Sequence, residues 1–297
     1  MTRLISEICD YRIKMAIKVI ILLPFVFASC EKPIEKEKGD DVVVLKFQPT
    51  IKDAETRAAM SNYFSKLNVQ IFNAEGEKMF ERVKTQTKDD ADFGVLELKL
   101  TAGIYTVVAV GHSSKNSATI KSPEVVQFTA SNGEKLTDTF CHCSQIVVGG
   151  DEVEFSLTMY RVGAMIQFCL QDDDMPVNFS HFKMEYTGGS ANFNPTTLEG
   201  ITKSSQSEMR TTNGIQIYQA FTFPYLSSSG YIKMTCTALD VDGNIIRQRE
   251  FPSIPVTRNR ITTFTGSFFV DGDGVFTQSD FGFVVHADWD GEDFYTF

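Results

Sequence analysis

The chain has 297 residues, of which 42% are hydrophobic and 22% charged, and its 38 acidic side chains outnumber 28 basic ones for a net charge of −10. An acidic surface repels phosphate backbones, so nucleic acid is excluded as an expected partner. The length accommodates two domains of ordinary size behind any leader.

The first element is a leader. Arg12, Lys14 and Lys18 supply positive charge ahead of the apolar run Val19–Phe27, which closes on Ala28 and Ser29 directly before Cys30. A run of about ten apolar residues suits the core of an export signal and falls well short of the ~20 that a spanning helix needs. Small residues before a cysteine resemble the lipobox of bacterial lipoproteins, although Phe27 is not the commonest residue at its position. The expectation is a signal over 1–29, with cleavage before Cys30 and acyl chains on its thiol. The plainer alternative is an ordinary secretory signal followed by an incidental cysteine. Met15 also begins a compact signal by itself. Each buried acyl CH₂ contributes ~0.8 kcal/mol, so two or three chains on one residue hold a domain at a membrane. No later stretch is apolar for ~18 residues, which leaves the lipid as the expected membrane attachment. Removing residues 1–29 takes away four basic and two acidic side chains, leaving 24 against 36 and a net charge of −12.

Residues 30–41 come next, charged and poor in apolar side chains, and the expectation is a flexible tether. Beyond it the dominant signal has period two. Leu67, Val69 and Ile71 alternate with Asn68, Gln70 and Phe72; Leu96, Leu98 and Leu100 alternate with Val95, Glu97 and Lys99. Val153, Phe155, Leu157 and Met159 alternate with Glu154, Ser156, Thr158 and Tyr160. Such patterns predict strands with one face on a core and the other on solvent. Turn residues separate them at Asn73–Gly76, Thr101–Gly103, Gly149–Asp151 and Asp242–Asn244. Many short strands at this spacing predict an all-β protein built from sandwiches. The division is placed near Arg161, giving a first sandwich over 42–160 and a second over 161–297. The Ser/Thr/Asn/Gly-rich stretch 187–214 reads as a long irregular segment.

Catalytic signatures are missing from the sequence: there is no His-Glu-x-x-His, G-x-S-x-G, P-loop or dinucleotide fingerprint. The four histidines fall in different predicted elements, so no catalytic residue and no cofactor is expected. Cys141-His142-Cys143 places two thiols on one strand face, where a soft metal could take both, but no second pair stands at ligand spacing and no metal is expected. Cys169 and Cys236 could form a disulfide in an oxidising compartment, while spacing alone fixes no pairing. Asp240-x-Asp242-x-Asn244 opens like a calcium loop, yet Ile245 stands where glycine is needed and Phe251 where a glutamate is needed; a hairpin turn is expected instead. Asp172-Asp173-Asp174 reads as a solvated loop.

With these elements in order, a family resemblance can be stated. After the leader and tether come the strand with its Asn-Ala-Glu-Gly turn (65–76), Leu100–His112, Leu136–Phe140, the crossing run Leu157–Met165, and Tyr186–Asn194. In that order they resemble the FimB-type fimbrial anchor and minor-subunit lipoproteins of Bacteroides-like bacteria. Cys141-His142-Cys143 is not part of that pattern. The resemblance implies two tandem transthyretin-like β-sandwich domains behind a lipoprotein signal and flexible tether. It implies a non-enzymatic subunit of surface fimbriae, anchored in the cell outer membrane through its lipid, with other fimbrial subunits as partners. In related polymerising subunits, cleavage after an arginine placed like Arg57 frees a groove for the next subunit; Arg57 is either that processing site or an exposed linker residue. The aromatic, acidic tail Trp289–Phe297 is either domain core or a strand donated to a neighbour, and Phe281–His286 could also be a strand. Two other readings stand beside the fimbrial one: a surface glycan-binding lipoprotein using Trp289, Tyr295 and Phe297, and a hydrolase with an unrecognised site.

Overall fold

The computed structural model describes residues 41–49, 60–129, 135–149, 154–212, 214, 216–225, 229–270, 277–278 and 289–296. The leader, the tether as far as Asp40, Cys30, Arg57, Val153 and Phe281–His286 lie outside these residues. Among them the regular structure is β apart from a helical turn at Met60–Phe64, so the chain is all-β as the alternation predicts. Residues Asp40–Phe297 form one contact unit.

In the first half the strands are β1 (Asp41–Pro49), β2 (Lys66–Phe72), β3 (Lys84–Thr87), β4 (Val95–Leu100) and β5 (Gly103–His112). They continue with β6 (Thr119–Ser122), β7 (Val125–Gln127), β8 (Phe140–Val148) and β9 (Glu154–Arg161). The second half has β10 (Ala164–Leu170), β11 (His181–Ser190), β12 (Asn192–Asn194), β13 (Glu199–Gly200), β14 (Lys203–Thr211) and β15 (Ile217–Thr222). It ends with β16 (Ser229–Leu239), β17 (Ile245–Thr257), β18 (Arg260–Gly266), β19 (Thr277–Gln278) and β20 (Gly291–Thr296).

The first sheet runs β3-β2-β5-β8-β9-β1-β4 and folds over at β8–β9, where only Phe140↔Arg161 and Cys141↔Tyr160 pair. Its two arms enclose a core of Val43, Leu45, Phe47, Leu67, Val69, Ile71, Leu157 and Met159. In the second half, β15-β10-β18-β20-β19 faces β14-β11-β16-β17, and Phe168, Phe182, Met184, Phe251 and Phe264 fill the space between. A small sheet, β13-β12-β7-β6, draws strands from both halves through Asn192↔Gln127 and Phe193↔Val126. Beneath it lies a third apolar cluster, with Val108, Val110 and Phe128 from one half and Phe193 and Phe223 from the other.

That third cluster corrects the one-faced reading of β2. Leu67, Val69 and Ile71 face the first core as predicted, but Asn68, Gln70 and Phe72 on the opposite face are also buried. Period two tells which residues share a face; it does not tell whether a second layer covers the other one. Gln70 Nε2 donates to Phe80 O at 2.7 Å, while its Oε1 is buried without a hydrogen-bond partner among the described residues, and Asn68 is fully engaged. Asn68 Nδ2 donates to Thr85 Oγ1 at 2.8 Å, and its Oδ1 accepts from the backbone N–H of Ala118 and from the ring of His112, each at 2.8 Å.

Two more expectations change. The stretch 187–214 is not irregular: it carries the end of β11, the short β12 and β13, and all of β14. Ser204, Ser205, Ser207 and Thr211 belong to β14, an edge strand, where polar side chains are tolerated. Within the acidic triplet, Asp172 is buried, and its carboxylate accepts the N–H groups of Phe268 and Phe269 at 2.7 and 2.8 Å. Only Asp173 and Asp174 are exposed.

Candidate functional site

The feature that bears most directly on partner binding is the position of β1. It is the first strand of the unit in sequence, yet it sits inside the sheet, parallel to β9 and antiparallel to β4. Leu45 lies opposite Leu96 on one side and Phe155 on the other, and Phe47 lies opposite Leu157. The Val-x-Leu-x-Phe alternation of Val43, Leu45 and Phe47 sends all three into the core, while Val42 and Lys46 point outward and Lys46 pairs with Glu154. At its C-terminal end the N–H of Phe47 donates to Gly94 O at 2.9 Å. Gly94 has φ +90, and a Cβ there would fall 2.0 Å from Met60 Cε, so this corner requires glycine.

Withdrawing β1 would strip the core of three large side chains. It would also leave the facing backbone groups of β4 and β9 unpaired, and so create a groove of one strand's width. Such a groove accepts an extended segment by main-chain pairing, with alternate side chains setting register. Arg57 and Cys30, the two site residues expected from sequence, flank β1 in the chain but lie outside the described residues.

Cys141 and Cys143 share a face of β8, as alternation requires, and both pack into the third apolar cluster. His142 points the other way, with Nδ1 2.7 Å from Thr158 O and Nε2 2.7 Å from Ser144 Oγ. Burial pushes both thiols above the ordinary cysteine range, which keeps them protonated. Among the described residues no three His, Cys, Asp or Glu side chains are grouped to hold a metal ion. Cys169 and Cys236 lie on different sheets and are not bonded to each other, so the disulfide considered above is not formed. Asp240 Oδ1 accepts from the N–H groups of Asp242 and Asn244, and Gly243 takes φ +86; the segment is the hairpin turn between β16 and β17.

The described histidines fall on β5, β8 and β11. His112 is the most confined. Its Nδ1 accepts the N–H of Ser114 at 3.1 Å, which leaves Nε2–H to donate to Asn68. A second ring proton would point at a donor, and burial followed by the charge of Lys66 lowers its pKa to about 3.

The tail is part of the second sandwich. β20 pairs parallel with β18, Tyr295 stacks on Phe264 with ring centroids 5.0 Å apart, and Arg260 holds Asp293 at 2.7 Å. Trp289 is occupied as well, its ring lying 3.9 Å from the guanidinium carbon of Arg161. Arg161 grips Asp138 through two 2.8 Å hydrogen bonds and reaches Asn259 at 3.1 Å, so one side chain ties both halves and the tail together. In the sequence Arg161 marks only the expected boundary between the two halves. An arginine in an alternating strand at an inward position was the signal that could have revealed it.

No curated protein matches the chain. Among solved structures, a candidate polysaccharide-binding protein of Bacteroides thetaiotaomicron is 10% identical with a TM-score of 0.49, covering 70% of this chain and 79% of its own. A candidate adhesin of Bacteroides ovatus is 11% identical with a TM-score of 0.48, covering 73% and 78%. The fimbrial anchor protein Mfa2 of Porphyromonas gingivalis is 15% identical with a TM-score of 0.40, covering 71% and 82%. At these scores the likeness bears on neither site nor function. A family model describing proteins of unknown function, DUF6562, matches residues 37–296, and the chain belongs to that family.

Proposed function

We propose that this chain is a lipid-anchored, non-enzymatic subunit of cell-surface fimbriae. In the finer form of the reading it is the FimB-type minor subunit fixed in the outer membrane, which holds the fimbrial shaft by strand or groove complementation. The observation that carries the reading is the run from Cys30 to β1. A lipidation-type cysteine precedes Asp41 by eleven positions, and Asp41 opens a strand held on both sides within the sheet. A pull on the domain is thereby passed through backbone pairing to the lipid.

Feeding cells a labelled fatty acid tests the anchor. Label on the wild type that is lost in Cys30→Ala supports it, whereas equal label in both variants removes the lipid from the reading. The shaft or tip role is favoured by a different observation, the position of β1 between β4 and β9, where its replacement would open a groove. Cleavage after Arg57 would sever β1 from the rest of the chain, and its replacement by a competing segment would then release the domain from its lipid.

A further inference from the structure

Four segments far apart in the chain meet where the first half passes into the second. The crossing run 161–163 is held from two directions. Val162 N–H donates to Thr139 O at 2.8 Å, and Gly163 O accepts from Asn259 N–H at 2.9 Å. Thr139 belongs to the corner 137–141, at the start of β8, where the first sheet folds over. Asn259 lies in the two-residue turn between β17 and β18 and takes φ 59, a left-handed conformation that asparagine tolerates. Its carbonyl accepts from Asp290 N–H at 2.9 Å, directly before β20 opens at Gly291. The turn therefore stands between the crossing run and the entry of the tail.

Arg161 fills this junction with only 4% of its surface exposed. Its fork donates twice to Asp138 of the corner, at 2.8 Å each, and once to Asn259 Oδ1 of the turn at 3.1 Å. The ring centroids of Phe140 and Trp289 lie 4.6 and 3.9 Å from its guanidinium carbon. A buried guanidinium is costly unless paired, and its attraction to a carboxylate grows as water is excluded. Trp289 lies over the guanidinium and so shields that pair. In return, the two bonds to Asp138 fix the plane on which the Trp289 ring rests. Each contact is stronger while the other is made.

We propose that this junction is a coupling device, in which seating of the tail at Trp289 and closure of the first-half corner at Asp138 stabilise each other through the Arg161 guanidinium. Such coupling is reciprocal. A partner that lifts the tail loosens the corner, and one that draws Asp138 away loosens the tail. The halves stay together in either case, because β7–β12 pairing and the third apolar cluster join them without Arg161 or the tail. The coupling does not depend on the fimbrial reading.

Both directions are measured in the full chain. Trp289→Ala removes the ring and leaves the pairing of β20 in place, and hydrogen exchange followed by mass spectrometry then reads the corner. Amides of 137–141 and of Val162 should exchange at least about fivefold faster, with those of β2 unchanged. Asp138→Asn is read in the other direction by the fluorescence of Trp289, the chain's one tryptophan. Its emission should shift to the red and acrylamide should quench it more strongly than in the wild type. Corner exchange that stays the same in Trp289→Ala would overturn the proposal. So would a rise of equal size in β2, which is an ordinary loss of stability. Unchanged Trp289 emission and quenching in folded Asp138→Asn would overturn it as well. Should Asp138→Asn not fold, Asp138→Glu, which keeps the charge and displaces the carboxylate by one methylene, supplies the same reading.

Discussion

Leu157 and Ser156 are neighbours on β9 and point to opposite faces, Leu157 buried against Phe47 of β1 and Ser156 exposed. Truncating a buried leucine removes its transfer free energy and leaves a cavity, so Leu157→Ala should cost about 2–5 kcal/mol. Ser156→Ala should stay within about half a kcal/mol. Chemical denaturation of both variants checks the register, and a sensitive Ser156 would invert the strand. His112 carries a pH signature. Its folded pKa of about 3 lies below the ordinary 6.5, so between those values the unfolded chain binds the extra proton. This contribution is therefore complete above pH 6.5 and is lost as pH falls toward 3, by about 1.4 kcal/mol per unit at most. Comparing wild type with His112→Gln from pH 7 to pH 4 isolates it. The wild type's advantage should shrink on acidification, and a constant difference would show that the ring is not held neutral.

At the level of elements, the tail is the sharpest case. Parallel pairing to β18, the Tyr295–Phe264 stack and the Arg260–Asp293 ion pair hold β20 within the chain's own second-half sheet. Ending the chain at residue 288 should lower the thermal midpoint by several degrees, since loss of 1 kcal/mol moves a domain of this size by about 2–4 °C. An unchanged midpoint would mark the tail as free for donation. Of the two alternatives left by the sequence, core and donor strand, the pairing realises the first. The strands of the first half were legible because turn residues bracket alternating runs, and Leu98, Leu100, Leu157 and Met159 bury as their period demands. What alternation could not show is layering. The second face of β2 is covered by β6, β7 and residues as distant in the chain as Phe193 and Phe223, a long-range arrangement completed by Phe128. The strand content of 187–214 was hidden for a related reason: edge strands such as β14 are polar, and their composition resembles that of loops.

For the whole molecule, one peptide bond separates the two fimbrial roles. An anchor gains from keeping residues 31–57 continuous with the domain, because once that stretch is cut the lipid on Cys30 holds the domain only through the pairing of β1 with β4 and β9. A shaft or tip subunit gains from the cut, since β1 lies between β4 and β9 and its departure opens a groove backed by Leu96, Leu98, Phe155 and Leu157. The structure makes that departure costly. Val43, Leu45 and Phe47 are all buried, at about 1.5–3 kcal/mol each, and the paired backbone of two neighbours is exposed with them. Cleavage alone would not expel the strand; a competing segment with matching side chains must replace it. In an anchor the bond after Arg57 therefore stays intact, and β1 keeps its place. Arg57→Ala should leave fibre number and attachment unchanged, while Cys30→Ala should shed fibres into the medium. N-terminal sequencing of the fimbria-associated protein decides between the roles. A mature chain that begins at Cys30 fits the anchor, and one that begins at Ala58 moves this subunit to the shaft or the tip.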